Sequence, residues 1–385
     1  MAYWRIKKRI REKDEIMIRV AFVKFAGLGA GGTEKFIQTV AANLPQSDFL
    51  VDYYYCDAAP YIGSDWKHPD TDPDRLKYMQ DHDVNLIKFH VDYKDVTRPH
   101  HDWVGTNFWD LFNENNYDII QTGRAGHPEY PFIHIRKTPI VDAITLAGMV
   151  DNQENIRRVM LCSQWSADVW IKCGGDASRV VVVPLFIETP KYGYTAHYRD
   201  RFDLKNKFVY GFHQRADDNI FSPMPLDAYK KIETEDTAFL MLGGGNKYRQ
   251  QASLLGLKNC YFLDHCANTE ILWTFLNTLN VFAHGRNDGE TYGIVLAEAL
   301  YFGLPCISHT TQFNNAQAET IGDGGTVVSN VSDYAQEMQR LRNDQAYYDD
   351  RSNKAKIRYQ NHLELDGQME RVIDLYKGVA SEFSK

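Results

Sequence analysis

Two carboxylates, Glu290 and Glu298, stand eight residues apart in a stretch that reads Asp288-Gly289-Glu290-Thr291-Tyr292-Gly293-Ile294-Val295-Leu296-Ala297-Glu298-Ala299, and then Gly303-Leu304-Pro305-Cys306. A polar, glycine-bearing loop over 287–291 runs into an apolar helix. Gly303 and Pro305 end that helix, since glycine accepts the left-handed turn after a last helical residue and proline cannot continue one. Glu290 belongs to the loop and Glu298 to the helix. A helix N-terminus carries unpaired N–H groups and a partial positive charge, so it suits a phosphate. A carboxylate on the helix can then accept hydrogen bonds from a ribose, and one in the loop can reach a sugar hydroxyl.

A second junction of this kind lies near the N-terminus. Gly27, Gly29, Gly31 and Gly32 follow an apolar run at 20–26 and open a helix over 34–44. Glycines let a backbone approach a ligand closely, and Gly27, Gly29 and Gly32 fit the G-x-G-x-x-G dinucleotide pattern. Read as an NAD-dependent dehydrogenase, the chain needs an acid about 20 residues further on. Asp52 and Asp57 both come late, and that reading leaves Glu290 and Glu298 unexplained.

The stretch from 285 to 306 resembles the Glu-x7-Glu signature of retaining GT-B glycosyltransferases, particularly family 4. Gly285-Arg286-Asn287-Asp288-Gly289-Glu290-Thr291-Tyr292-Gly293, Glu298-Ala299 and Gly303-Leu304-Pro305-Cys306 keep its spacing. Gly31-Gly32-Thr33-Glu34 matches the Gly-Gly-x-Glu that such enzymes carry beside the donor phosphates. The resemblance implies a sugar passed from a nucleotide diphosphate sugar to a hydroxyl of a glycan or lipid-linked acceptor, with retained configuration, no cofactor and no metal. It implies that Glu290 contacts the transferred sugar and Glu298 the ribose. Backbone N–H groups of Tyr292, Gly293 and Ile294 would meet the phosphates.

Two departures accompany the resemblance. Arg215 matches the family arginine on the leaving diphosphate, but Ile220 and Phe221 stand where a lysine is usual. Lys247, after Gly243-Gly244-Gly245-Asn246, and Arg286 are further cations for that role. The family histidine on the transferred sugar is replaced by Thr145 or Ile144, and His127 in the loop 123–127 can substitute. These departures also admit a sugar-nucleotide-binding pseudoenzyme. Asp264 and His265 close a strand where the family stacks its nucleotide base. Asp70-Thr71-Asp72 looks like a GT-A metal motif, yet Pro73 and the missing apolar strand read as a capping loop.

Composition sets the frame. At 385 residues, two domains are the default. A net charge of −8 argues against non-specific nucleic-acid binding. No apolar run approaches the roughly 20 residues of a membrane span, and no signal segment is evident, so a cytoplasmic location is expected. Six scattered cysteines without a Cys-x-x-Cys pair read as reduced thiols. The basic segment 3–13, with Trp4 and with Arg and Lys around Ile6 and Ile10, can lie on an anionic membrane surface.

The elements that must position these residues alternate. Strands are expected at 19–26, 49–56, 85–90, 118–121, 140–144, 159–162 and 180–183, then at 208–212, 239–242, 260–263, 281–283, 306–308 and 326–328. Strands rich in Val, Ile and Phe separated by helices imply parallel α/β sheets, and two series imply two doubly wound Rossmann-like domains facing a cleft. The expected boundaries are 1–187 for an acceptor-side domain including a basic extension at 1–16, 188–363 for a nucleotide-sugar domain, and 364–385 for a helix crossing back.

Overall fold

The computed structural model describes residues 17–383 apart from 30, 57–69, 91–105, 125–133, 191–192 and 267. The basic segment at 1–16 and His127 lie outside the described residues.

The first domain runs β1 (Ile18–Val23), α1 (Gly32–Asn43), β2 (Phe49–Cys56), α2 (Pro73–Asp81), β3 (Asn85–Phe89), α3 (Phe108–Leu111), β4 (Ile119–Arg124), β5 (Ile140–Ile144), β6 (Ile156–Leu161), α4 (Gln164–Lys172) and β7 (Val180–Val182). The second runs β8 (Phe208–Gln214), α5 (Met224–Ile232), β9 (Thr237–Gly243), α6 (Asn246–Leu254), β10 (Cys260–Leu263), α7 (Thr269–Leu276), β11 (Val281–Ala283), α8 (Ile294–Tyr301), β12 (Cys306–His309), α9 (Gln317–Ile321), β13 (Gly325–Val328), α10 (Val331–Asn343) and α11 (Gln345–His362), before α12 (Leu365–Phe383).

Among the described residues the strands form two wholly parallel sheets, ordered β3-β2-β1-β4-β5-β6-β7 and β10-β9-β8-β11-β12-β13. Both orders reverse after the first strand of the series, at β1/β4 and β8/β11. Open α/β sheets bind ligands outside the carboxyl ends of their strands at that reversal. Every residue of β4, β5 and β9 is buried, as expected for strands covered on both faces.

A buried ion pair sits inside this core. Arg124 ends β4 fully buried, with Nε 2.8 Å from Asp142 of β5 and a second nitrogen 3.0 Å from Asp151. The paired carboxylates let a guanidinium close a buried strand.

The chain passes between the domains twice. After β7, Leu185, Phe186 and Ile187 are buried, and Phe186 packs on Phe36 of α1 with ring centroids 5.0 Å apart. Glu188 follows, ion-paired to Arg75 of α2, while its carbonyl accepts from the Trp273 indole of α7 at 3.3 Å. At the other end, α12 lies on the first domain. Its Tyr376 hydroxyl donates to Gln121 of β4 at 2.6 Å, its ring meets Phe22 and Phe49, and Lys377 pairs with Asp48 at 2.7 Å.

Asp72 caps α2: its carboxylate accepts the backbone N–H of Asp74 at 2.8 Å and of Arg75 at 3.3 Å. Among the described residues, no helix is long and apolar enough to cross a membrane.

Candidate active site

The two sheet reversals face each other across a cavity of about 330 Å³. The first domain contributes Gly32. The second contributes His213, Gln214 and Arg215 from the end of β8, Ile220, His284, Arg286 and Glu290 from beyond β11, and Ile294 and Val295 from α8.

Glycines let the walls meet closely. A Cβ on Gly32 would come within 3.1 Å of Ile294 Cδ1, so the first domain's loop rests against the first turn of α8. Gly289 and Gly293 hold φ of +66° and +97°, the left-handed region, and a Cβ on Gly289 would lie 1.8 Å from the Asn314 carbonyl. Side chains resist this conformation, so the loop can turn into α8 this tightly only with glycine at both positions. Gly31 lies alongside: a Cβ there would meet the Glu34 carboxylate, which pairs with Lys24 at 3.6 Å.

Gly293 caps α8 without a side chain. Leu296 gives its N–H to the Gly293 carbonyl, so the first-turn N–H groups that open toward the cavity are those of its lining residues Ile294 and Val295. Glu298 lies one turn further along and keeps to the same, incompletely buried stripe as Ile294 and Val295.

Glu290 is held from two sides. One oxygen lies 3.2 Å from His284 Nε2, whose Nδ1 faces Ser308 Oγ at 2.8 Å. The other lies 3.6 Å from Arg286. Arg286 itself is forked onto Asp288, with nitrogens 2.5 and 2.9 Å from the two oxygens. Burial pulls this guanidinium's pKa down, but the bond to Asp288 and the charges of Glu290 and Asp288 outweigh it and hold it above the ordinary arginine value.

Glu298 has a different neighbour. Its Oε2 lies 2.9 Å from His213 Nε2, and neither atom has hydrogen-bonding geometry to the other or to anything else among the described residues. Arg215 is 60 % exposed at the cavity edge, and its one ion-pair partner among the described residues is Asp217 at 3.0 Å. The Asn219 N–H bond, then Arg215, hold Asp217 below the usual carboxylate pKa against the opposing effect of burial.

Other expected site residues lie elsewhere. The Tyr292 side chain is buried away from the cavity, which pushes its hydroxyl's pKa up, and its carbonyl accepts from Thr320. Lys247 is exposed and gives its backbone N–H to Asp218 at 2.9 Å. Asp264, 98 % exposed, pairs with Arg249 at 2.7 Å, beside an exposed His265. None of these three lines the cavity. Asp52, the acid nearest to a dinucleotide role, is taken by the Tyr117 hydroxyl and the Asn85 amide, each at 2.7 Å.

The comparisons bear on this arrangement. Residues 223–358 match the family model described as glycosyl transferases group 1. This group 1 segment begins after Arg215 and carries Glu290, Glu298 and the whole of α8. Solved structures extend the likeness to both domains. A glycosyltransferase from Rickettsia africae matches with a TM-score of 0.70 at 15% identity, over 94% of this chain and 98% of that one. HepE from Anabaena, crystallised with UDP and glucose, matches with a TM-score of 0.67 at 15% identity, over 94% and 99%. WaaG, a glycosyltransferase involved in lipopolysaccharide biosynthesis, matches at 0.62 and 16% identity, over 93% and 100%. No curated protein sequence matches the chain significantly. The fold is GT-B, with a group 1 segment in its second domain.

His213 and His284 were not singled out by sequence reading. A signal was present. Each directly follows an expected strand, 208–212 or 281–283, on either side of the second sheet's reversal, where open α/β sheets bind ligands.

Proposed function

We propose that the chain is a retaining glycosyltransferase of the family 4 type. It moves a sugar from a nucleoside diphosphate sugar to a hydroxyl of a glycan or lipid-linked acceptor, at the cytoplasmic side of a membrane. The observation that carries this reading is the convergence on one interdomain cavity of Glu290, the uncapped first turn of α8 and Arg215, with Glu298 on the same face of that helix. The group 1 segment supports it, and so does the UDP and glucose bound by the Anabaena neighbour.

In this reading the diphosphate lies on the first turn of α8, where N–H groups and Arg215 meet its charge as the bond to the sugar breaks. Glu298 accepts from the ribose and Glu290 from the transferred sugar. Gly31 and Gly32 close the cavity from the acceptor side. The acceptor hydroxyl attacks on the leaving-group face and its proton passes to a phosphate oxygen, so neither a protein nucleophile nor a metal is required. Asp72, committed to capping α2, has a structural use of its own.

The test begins with UDP-, GDP-, ADP- and dTDP-sugars in thermal-shift and hydrolysis assays. At least one should stabilise the protein and turn over in excess EDTA, and the product's anomeric configuration should match the donor's. Glu290→Gln should lower transfer at least about tenfold and leave affinity for the free nucleoside diphosphate within about twofold, since losing one hydrogen bond to a charged group costs roughly 1.5–3 kcal/mol. A protein that binds none of these donors would end this reading. Activity lost to EDTA and restored by Mn²⁺ would end its metal-independent part.

A further inference from the structure

We propose that His213 is a positioning residue for the donor ribose, acting through Glu298, and so sets how strongly the protein prefers ribose to deoxyribose. The inference rests on the donor reading above and adds to it a residue ahead of the group 1 segment.

The geometry is specific. His213 leaves the carboxyl end of β8, where its ring is wedged edge-on between Phe275 of α7 and Phe282 of β11, with centroids 6.3 and 5.8 Å away. The two aromatic rings fix the plane of the imidazole, and with it the direction of Nε2. Nε2 then meets Glu298 Oε2 at 2.9 Å. His213 lines the cavity and Glu298, on the same helix stripe as the lining residues Ile294 and Val295, stands against it, so the pair borders the proposed donor subsite.

The two carboxylates differ in what holds them. Glu290 has both an imidazole and a guanidinium. Glu298's sole ion-pair partner among the described residues is His213. A carboxylate on a helix face can swing about its side-chain torsions, and only a contact on one oxygen fixes where the other points. Both atoms of the pair are shielded from solvent, and neither completes a hydrogen bond among the described residues. Buried polar atoms are nearly always satisfied. Two that face each other off-axis beside a cavity fit a pair brought into line when a diol binds. The hydroxyls of a ribose donate to one oxygen of Glu298 while His213 donates to the other. A 2′-deoxyribose offers one hydroxyl fewer, and the pair then has less to recognise.

The test measures affinity for UDP, GDP and ADP by calorimetry, then compares the tightest with its 2′-deoxy counterpart. The wild type should prefer the ribonucleotide about tenfold, the value of one hydrogen bond to a charged group. His213→Phe should weaken ribonucleotide binding about tenfold and shrink that preference to below about threefold. His213→Gln, whose amide nitrogen reaches where Nε2 stands, should keep most of the preference. His213→Asn, which reaches only as far as Nδ1, should lose it. The Gln and Asn pair decides the matter even where the Phe variant does not fold. A purely structural histidine would lower both affinities equally and leave their ratio untouched, and that result overturns the proposal. If Glu298→Ala abolishes the preference while all three His213 variants retain it, His213 alone is refuted and the donor reading stands. A wild type that binds none of the three nucleotides removes the donor reading, and this role with it.

Discussion

Arg215 and Arg286 line the same cavity and carry the same charge, yet the fold has used them in opposite ways. Arg286 is largely buried, forked onto Asp288 and within reach of Glu290. Arg215 is mostly exposed, and among the described residues it pairs with Asp217 alone. A guanidinium whose donors are spent on two carboxylates shapes a loop. One with a single partner keeps donors for a ligand, and a diphosphate matches its planar fork. Burial and strong pairing therefore identify the arginine that builds the site, and relative freedom identifies the one that can work in it.

The largest effect should come from breaking that contrast at Arg215. Removing a single preorganised charge-stabilising group costs about 10²–10³ in rate. Arg215→Ala should lower donor turnover by that factor and leave unfolding free energy within about 0.5 kcal/mol, as at other surface positions. Arg215→Lys should recover only part of the rate. Steady-state kinetics beside urea unfolding checks both halves. Near-normal turnover in Arg215→Ala would transfer the role to another cation.

Arg286 should show the reverse balance. Arg286→Ala leaves Asp288 and Glu290 without their shared cation in a part-buried loop, at a cost of about 1–3 kcal/mol. Its urea midpoint should fall clearly, where that of Arg215→Ala should not. An Arg286→Ala protein of unchanged stability and much reduced turnover would erase the distinction between the two residues.

The smallest effect concerns how the second domain tolerates acid. His309 ends β12 buried, with Nε2 3.0 Å from Ser222 Oγ and Nδ1 3.0 Å from the Thr310 carbonyl. Burial lowers its pKa, the Thr310 carbonyl opposes this, and His284 adds to the lowering. The unfolded chain takes up this proton near pH 6.5, the folded protein only at lower pH. Between those values the unfolded state binds more protons, so stability is lost as pH falls. Melting temperature should drop from pH 7.5 to 5.5, and less steeply in His309→Gln. The difference is bounded by about 1.4 kcal/mol per pH unit for one proton. Equal slopes would place the acid sensitivity elsewhere.

Much of the fold was legible because parallel strands covered on both faces must be apolar throughout. The runs at 49–56, 140–144, 260–263 and 281–283 coincide with β2, β5, β10 and β11. The expected strand at 118–121 stops short of β4, which continues to Arg124. A charged residue reads as a strand end until Asp142 and Asp151 are seen to neutralise it. The helices at 331–343 and 345–362 were not anticipated, since their charged faces hide a narrow apolar stripe.

At the site, the residues that share one loop and helix were legible from spacing: Glu290, Gly293 and Glu298. Pairings across the sheet were not. His213 meets Glu298 through the order of strands, which no local spacing encodes. Arg286 read as a spare cation because nothing in the sequence says that Asp288, two residues on, turns back to hold it.

Thr291, next to Glu290, is bonded into the first domain. Its carbonyl accepts from Ser163 and Ser166 at 2.7 and 2.8 Å, and its hydroxyl donates to the Thr145 carbonyl at 2.9 Å. Nearby, Glu319 of α9 accepts the N–H groups of Gln164 and Trp165, at 2.7 and 2.9 Å, at the start of α4. Parting the domains must break these bonds, while Glu290 keeps its own partners, His284 and Arg286, within the second domain. The His213–Glu298 pair sits wholly within the second domain and loses no contact in that motion. In the proposed reading, the opened molecule would therefore part from the acceptor-side domain along this seam while the groups assigned to the donor stay together on the second domain.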